Sequence, residues 1–246
     1  MLRAEVFAAD ALSHVAFVGA IAAATIGIDE RVGLFALTLI SAATLAGAGR
    51  RGRGDDVTIG LTFAWILGIG ILLITLLASS PNGGNGITAA NTLFGSIYSL
   101  SGSASRIAAL VALFVLGALA AIGRPLLSAT LDPELALVRG IPVRMLGMAF
   151  LALLAVIAAE STQAVGALLL LGLIAAPAGA AHILASNPFR GMVLSGALAL
   201  AATWGGLAIS YAVSSVPPST AIIALAAAFY AAAAATRRLS RPRPLT

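Results

Sequence analysis

Val57-Thr-Ile-Gly-Leu-Thr-Phe-Ala-Trp-Ile-Leu-Gly-Ile-Gly-Ile-Leu-Leu-Ile-Thr-Leu-Leu-Ala-Ser79 contains no charged residue. A run of this kind crosses the ~30 Å hydrocarbon core of a bilayer as an α-helix, which needs about 20 apolar residues. In water the same helix would have no polar face to present. Working outward, seven more apolar segments can be drawn, at 6–28, 32–49, 107–123, 145–160, 164–181, 191–213 and 219–236. The segment 164–181 is short and carries Pro177, so a break near its end is expected. The chain therefore reads as an all-α polytopic transmembrane helical bundle of about eight spans, forming a single domain over residues 1–246.

Composition supports this reading. Of 246 residues, 60% are hydrophobic and 9% charged, with a mean hydropathy of +1.06. Soluble domains run at about 45–50% apolar and about 25% charged. A soluble enzyme, a disordered chain and a secreted disulfide scaffold are excluded. There is no cysteine, hence no disulfide, thiolate metal site or iron–sulfur cluster. The N-terminus lacks the pattern of a cleavable signal peptide, since Asp10 and His14 interrupt its apolar stretch.

The net charge of +5 comes from arginine alone, because all 14 basic residues are Arg. These lie between apolar blocks, so they report membrane topology and lipid head groups rather than nucleic acid. Arg3, Arg50, Arg51, Arg53, Arg124, Arg139, Arg144, Arg190, Arg237, Arg238, Arg241 and Arg243 fall on one side, and only Arg31 and Arg106 on the other. The positive-inside rule makes the first side cytoplasmic. Both termini are then cytoplasmic, in keeping with an even number of spans. The arginine-only, alanine-rich usage suggests a GC-rich bacterial genome, and the expected location is the bacterial inner membrane.

The connections differ in character. Ser79 to Gly86 is rich in Ser, Pro, Asn and Gly and reads as an exposed external turn. Asn91-Thr-Leu-Phe-Gly-Ser-Ile97 is semi-apolar and is expected at the interface. Residues 124–144 read as a long cytoplasmic connection. Within it Asp132-Pro-Glu-Leu-Ala136 has the form of a helix start, with Asp as N-cap and Pro at the first helical position.

Asp10-Ala-Leu-Ser-His14 is the sharpest chemical feature. Residues four apart share a helix face, and a charged Asp at a helix centre costs roughly 2.5–3.5 kcal/mol on insertion scales. A carboxylate beside an imidazole offers ligands suited to Zn²⁺, Mn²⁺ or Fe²⁺, and a bound dication would offset the cost of burying the acid. The alternative is that the two side chains bond only each other, or lie in head-group water. Glu160-Ser-Thr-Gln163 also has two readings. It is either a tight external turn or a polar lining near the external mouth of a pathway, with Gln163 facing inward. His182 is expected at the cytoplasmic end of a helix, in a structural or partner-contact role rather than as a metal ligand. With no Lys there is no P-loop, and neither G-x-S-x-G nor H-E-x-x-H occurs.

Taken in order, these motifs resemble the membrane permease family of bacterial ABC importers for zinc, manganese and iron. Asp10-Ala-Leu-Ser-His14, preceded by Leu2-Arg3, is similar to the family's Asp-x-x-x-His helix. Asp56-Val-Thr-Ile-Gly60 is similar to its Asp-x-x-Ile-Gly helix start, and Leu93-Phe-Gly95 to its Leu-Phe-Gly segment. Asp132-Pro-Glu-Leu-Ala136 with Gly140 matches its cytoplasmic Asp-Pro-Glu-x-Ala stretch. The longest likeness runs from Gln163-Ala-Val-Gly to Pro177 and on through Ala181, followed by Gly206-Leu207, Ser210-Tyr211 and Pro217. It covers nearly the whole chain. Each motif alone is weak; their order and spacing are specific. Two departures stand out. Family members usually have one more apolar helix before this start, so either the start codon is assigned too late or the permease domain lacks the family's first helix. Pro217-Pro-Ser219 replaces the common Pro-Thr-Gly.

The resemblance implies a permease subunit, not an enzyme, importing a divalent metal by ATP-driven alternating access. The implied partners are a second permease copy, cytoplasmic ABC ATPase subunits that hydrolyse the ATP, an extracytoplasmic metal-binding protein and the lipid bilayer. It implies Asp10 and His14 as the metal ligands of passage, and His182, Asn187, Pro188, Phe189 and Arg190 as the segment contacting the ATPase. No permanently bound cofactor is expected, only the metal in transit. Three rivals rank lower. A siderophore or cobalamin permease would favour an aromatic pathway, yet aromatics are 6%. A secondary transporter would have only Glu160 and Asp10 as coupling acids. A lipid-modifying enzyme would lack a nucleophile.

Overall fold

The computed structural model describes residues 2–48, 56–78, 95, 97 and 100–239. The expected turn at 79–86, residues 91–94 and 96 of the interfacial stretch, and Arg50, Arg51, Arg53, Arg241 and Arg243 lie outside the described residues. Among the described residues the ordered elements are helices: α1 (Leu2–Thr25), α2 (Glu30–Ala48), α3 (Asp56–Ala78), α4 (Gly102–Leu131), α5 (Pro133–Val138), α6 (Val143–Ala164), α7 (Ala167–Leu184), α8 (Pro188–Ala212) and α9 (Pro218–Leu239). Seven of them are long and apolar enough to cross a membrane, and the stretch Leu169–Leu184 is a shorter apolar helix. The all-α, polytopic reading stands, with the short member where Pro177 was noted.

Three boundaries differ from expectation. Helix α4 is 30 residues long and runs through Pro125 to Leu131. At 1.5 Å per residue it is about 45 Å long, well beyond the hydrocarbon thickness. Much of the expected connection at 124–144 is thus helix, followed by α5 and the Gly140 turn. Helix α6 continues to Ala164, so Glu160 and Gln163 sit inside a helix and the turn falls after them. Helix α7 passes through Pro177 without ending.

Local chemistry explains the starts and stops. Asp132 Oδ1 accepts from the amides of Glu134 and Leu135 at 3.1 and 2.9 Å. Asn187 Oδ1 accepts from Phe189 N at 2.9 Å, and Ser101 Oγ accepts from Ala104 N at 3.2 Å. Each fills an orphan donor of a first helical turn. At the end of α5, Gly140 adopts φ 75° and Ile141 N closes back on Ala136 O at 3.0 Å, a left-handed cap that suits glycine.

The chain falls into two compact units, Met1–Leu168 and Leu169–Thr246. In the first, α1 is the inner helix, packed by α2, α3 and α6, while α4 rests on α5 and α6. Ala16, Ala20, Leu34 and Ala159 form one core cluster, and Phe17, Val18, Ile21 and Ala167 another. Ala129, Ala136, Val143 and Leu146 close α4, α5 and α6 together. Where α1 crosses α2, a Cβ added to Gly19 would overlap the Gly33 carbonyl, and one added to Gly33 would overlap that of Gly19. The backbones touch because neither position has a side chain. In the second unit α8 packs on α9, with Gly206 against the backbone of Ile222 and Gly205 against Leu225.

This close crossing has a measurable consequence. Gly33→Val is expected to destabilise the protein by about 1–3 kcal/mol through overpacking, read as a lower thermal midpoint in detergent. Gly117→Ala, where an added Cβ meets nothing within 4 Å, is expected to be neutral or slightly stabilising. Equal midpoints for wild type and Gly33→Val would contradict the crossing.

Candidate functional site

Helix α1 brings Asp10 and His14 to one face, as their spacing requires. Both are largely buried, with side-chain exposures of 17% and 13%. Within the apolar span Val6–Thr25 they stand about 6 and 12 Å from the Val6 end, at 1.5 Å per residue. The carboxylate and imidazole do not hydrogen-bond each other, since Nδ1 lies 4.0 Å from Oδ1. Instead Nδ1 is 3.0 Å from the backbone carbonyl of Asp10. With the proton on Nδ1 this is a donated bond, and Nε2 is left with a free lone pair, the usual way a ligating imidazole is fixed. Phe63 of α3 meets the His14 ring edge-on, with centroids 5.1 Å apart and planes at 89°, which restrains the ring's rotation.

Ser13, between the two, is fully buried. Its Oγ lies 2.7 Å from Asp10 O, 3.2 Å from Ala167 O and 3.4 Å from His14 Nδ1. On the α6 side, Thr162 Oγ1 donates to Ala158 O at 2.6 Å and stands 3.5 Å from Ser13 O. The turn of α1 that carries Asp10 and His14 is therefore seated against the junction of α6 and α7. Val165 and Gly166 make that junction, their amides bonding Ser161 O and Thr162 O at 2.9 and 3.0 Å, with Gly166 at φ 93°. Ser13 is about 10 Å along the span from Val6, so the junction meets α1 inside its apolar stretch rather than at an end. Gly95, at φ 73°, lies against the backbone of Ala164, Val165 and Gly166, where any Cβ would collide.

The remaining expected residues are distributed differently. Glu160 and Gln163 share a face of α6, and Glu160 Oε2 and Gln163 Nε2 are buried with no hydrogen-bond partner among the described residues. Arg31, at the start of α2, is close enough to act on Glu160 through its charge. The turn reading of this island does not hold, because the chain turns only at Val165–Gly166. In the second unit His182 is in the last turn of α7 and Asn187 caps α8 with Pro188 at its first turn. His182, Asn187, Pro188, Phe189 and Arg190 are exposed. Among the described residues no group of three or more His, Cys, Asp or Glu gathers to hold a metal. Asp10 and His14 offer two donors per chain, which is an open arrangement and not a closed cage.

Sequence reading passed over the partners that hold this turn. Ser13 was visible only as a spacer in the Asp-x-x-x-His pattern, and its bond to Ala167 joins residues 154 positions apart. Phe63 carried no local signal, and Thr162 and Gly166 were visible only as members of the Glu160–Gln163 island and of the Gln163-Ala-Val-Gly stretch. Gly95→Ala adds both a backbone collision and a strained φ. It should destabilise the protein by about 2 kcal/mol or more, seen as a lower thermal midpoint; an unchanged midpoint would remove the junction contact.

Comparison with known proteins gives a consistent result. A profile of the ABC 3 transport family matches residues 1–237. The manganese transport system membrane protein MntC of Halalkalibacterium halodurans is 29% identical over 188 residues, 76% of this chain and 63% of that protein. This chain thus spans less than two thirds of that relative's length. The manganese import system permease protein ScaB of Streptococcus parasanguinis is 26% identical over 231 residues, 94% of this chain and 80% of that protein. The high-affinity zinc uptake system membrane protein ZnuB of Haemophilus influenzae is 26% identical over 209 residues, covering 85% and 78%. The solved structure of PsaBC from Streptococcus pneumoniae in complex with Fab superposes with a TM-score of 0.77 at 25% identity, over 93% of this chain and 80% of that one.

Proposed function

Because the chain belongs to the ABC 3 transport family, we propose that it is the membrane permease subunit of an importer for a divalent metal ion, manganese or zinc in the first place and iron by the same ligand chemistry. The observation that carries this reading is the Asp10–His14 turn. A carboxylate and an imidazole stand together on one face of α1, with His14 Nδ1 3.0 Å from Asp10 O, so that with the proton on Nδ1 the Nε2 lone pair is bare. Relatives named for manganese and for zinc support the choice of cargo, and both ions accept oxygen and imidazole nitrogen.

Two donors hold a dication loosely. Water, or the same two residues from a second copy of the chain, completes the shell, so the ion is held and then released. Glu160 and Gln163, whose buried polar atoms lack partners among the described residues, are the next polar groups that line the route. Transport runs by alternating access, with ATP hydrolysed by separate cytoplasmic ATPase subunits and the metal delivered by an extracytoplasmic binding protein. The exposed segment His182 to Arg190 receives the ATPase, and the Asn187 cap gives α8 a defined start at that surface. In a chain of this kind the protein performs transport and no covalent chemistry.

The test is uptake of radiolabelled manganese or zinc by cells carrying the permease with its ATPase and binding protein. Asp10→Ala and His14→Ala are each expected to lower uptake about tenfold or more at equal membrane abundance. Wild-type uptake by both variants would remove the site. Arg190→Glu is expected to weaken co-purification of the ATPase subunit while the permease keeps its thermal midpoint, and undiminished co-purification would count against the docking segment.

A further inference from the structure

Acidic side chains end at Glu160. The second compact unit, Leu169–Thr246, has five arginines, Arg190, Arg237, Arg238, Arg241 and Arg243, and no Asp or Glu. None of these cations can find a carboxylate side chain within its own unit.

The fold gathers them at one end. Helices α8 and α9 pack on each other as a hairpin, with Gly206 against the backbone of Ile222. Arg190 precedes Gly206 by as many residues as Arg238 follows Ile222. At 1.5 Å per residue both positions stand about 24 Å from that contact. Arg237, in the last turn of α9, is exposed, as is Arg190. Arg241 and Arg243 follow in sequence. By the positive-inside rule this end is cytoplasmic.

The same end is apolar beside its charges. Met192 and Val193, in the first turns of α8, are 56% and 75% exposed. A cation next to exposed apolar side chains suits the boundary between acyl chains and head groups. The guanidinium fork matches a phosphate, and the cytoplasmic leaflet supplies phosphate on anionic lipids. An acidic protein surface would complement the arginines but leave Met192 and Val193 uncovered, whereas a phospholipid serves both.

We propose that the cytoplasmic end of the α8–α9 hairpin, centred on Arg237 and Arg238, is a binding site for the head group of an anionic phospholipid. The lipid phosphate supplies the negative charge that the unit lacks, and its acyl chains cover Met192 and Val193. Arg190 borders the site from the segment assigned to the ATPase. The inference is independent of the metal cargo and of Asp10 and His14.

The experiment uses the full chain in nanodiscs of phosphatidylcholine, alone or mixed with phosphatidylglycerol. Phosphatidylglycerol is expected to raise the wild-type thermal midpoint by about 2–4 °C, and high salt to remove the gain. The double variant Arg237→Gln/Arg238→Gln is expected to match wild type in phosphatidylcholine and to lose most of the gain. Arg124→Gln/Arg144→Gln, which removes the same charge from the first unit, is expected to keep it. Native mass spectrometry of wild type is expected to show phosphatidylglycerol retained over phosphatidylcholine, and the reverse preference would overturn the proposal without any variant. A full gain in Arg237→Gln/Arg238→Gln would overturn it too. Equal loss in both double variants would show attraction of the whole chain rather than a site. Inorganic phosphate giving the same gain in pure phosphatidylcholine would assign the arginines to a free anion. Loss of ATPase co-purification by Arg237→Gln/Arg238→Gln with its lipid gain intact would assign them to the ATPase. Each of these three results also overturns the lipid site.

Discussion

Helix α1 can stand inside its unit because much of the surface it presents to its neighbours is small. Along its length Ala8, Ala9, Ala11, Ala16, Ala20 and Ala23 are buried, and at Gly19 it touches α2 backbone to backbone through Gly33. In a bilayer, lipid tails are as apolar as leucine, so apolar side chains gain little from meeting one another rather than lipid. Close packing and hydrogen bonding must supply the difference. Small residues bring the helices near enough for many weak contacts. They also bring backbone carbonyls of one helix within reach of side chains on another, which is how Ser13 comes to meet Ala167.

The same medium explains the treatment of polar groups. Most hydroxyls within the helices are returned to a carbonyl one turn back: Thr38 to Leu34, Thr44 to Ser41, Thr162 to Ala158 and Thr203 to Ala199. Such a bond hides the oxygen within its own helix and asks nothing of a neighbour. Against this background the groups that do not fold back are informative. Asp10, His14, Glu160 and Gln163 carry atoms that α1 and α6 do not satisfy by themselves, and Ser13 has more acceptors than hydrogens. Unsatisfied polarity costs several kcal/mol per group where water is absent.

The fold class was legible because transmembrane helices declare themselves in one dimension: length and apolarity suffice. The Asp132 cap was legible because a cap is a contact between residues two or three apart. The ends of α4 and α6 were misjudged for a common reason. A window of apolar residues marks the hydrocarbon, while a helix ends where its backbone bonds end, and α4 continues well past its apolar part. The island Glu160 to Gln163 has turn-like polarity, yet Gly166, with its positive φ, is what lets the chain reverse. That Asp10 and His14 share a helix face was legible from their spacing. What holds them was not, since Phe63, Thr162 and Ala167 approach from other helices and leave no mark in local sequence.

The location of the α6–α7 junction then has a physical meaning. Irregular backbone is tolerated at membrane depth only where protein buries it or where it lines a polar cavity. Here the first condition has visible agents. Gly95 covers the outer side of Val165 and Gly166 with bare backbone, while Ser13 and Thr162 serve the other side with hydroxyls. A break leaves the last carbonyls of one helix and the first amides of the next without helical partners; here the Val165 and Gly166 amides close the end of α6, and Ser13 reaches Ala167 O at the start of α7. The break beside the Asp10–His14 turn sets the least regular backbone of α6 and α7 against the two polar side chains that their spacing brings to one face of α1, so the junction and the pair are held by the same few contacts.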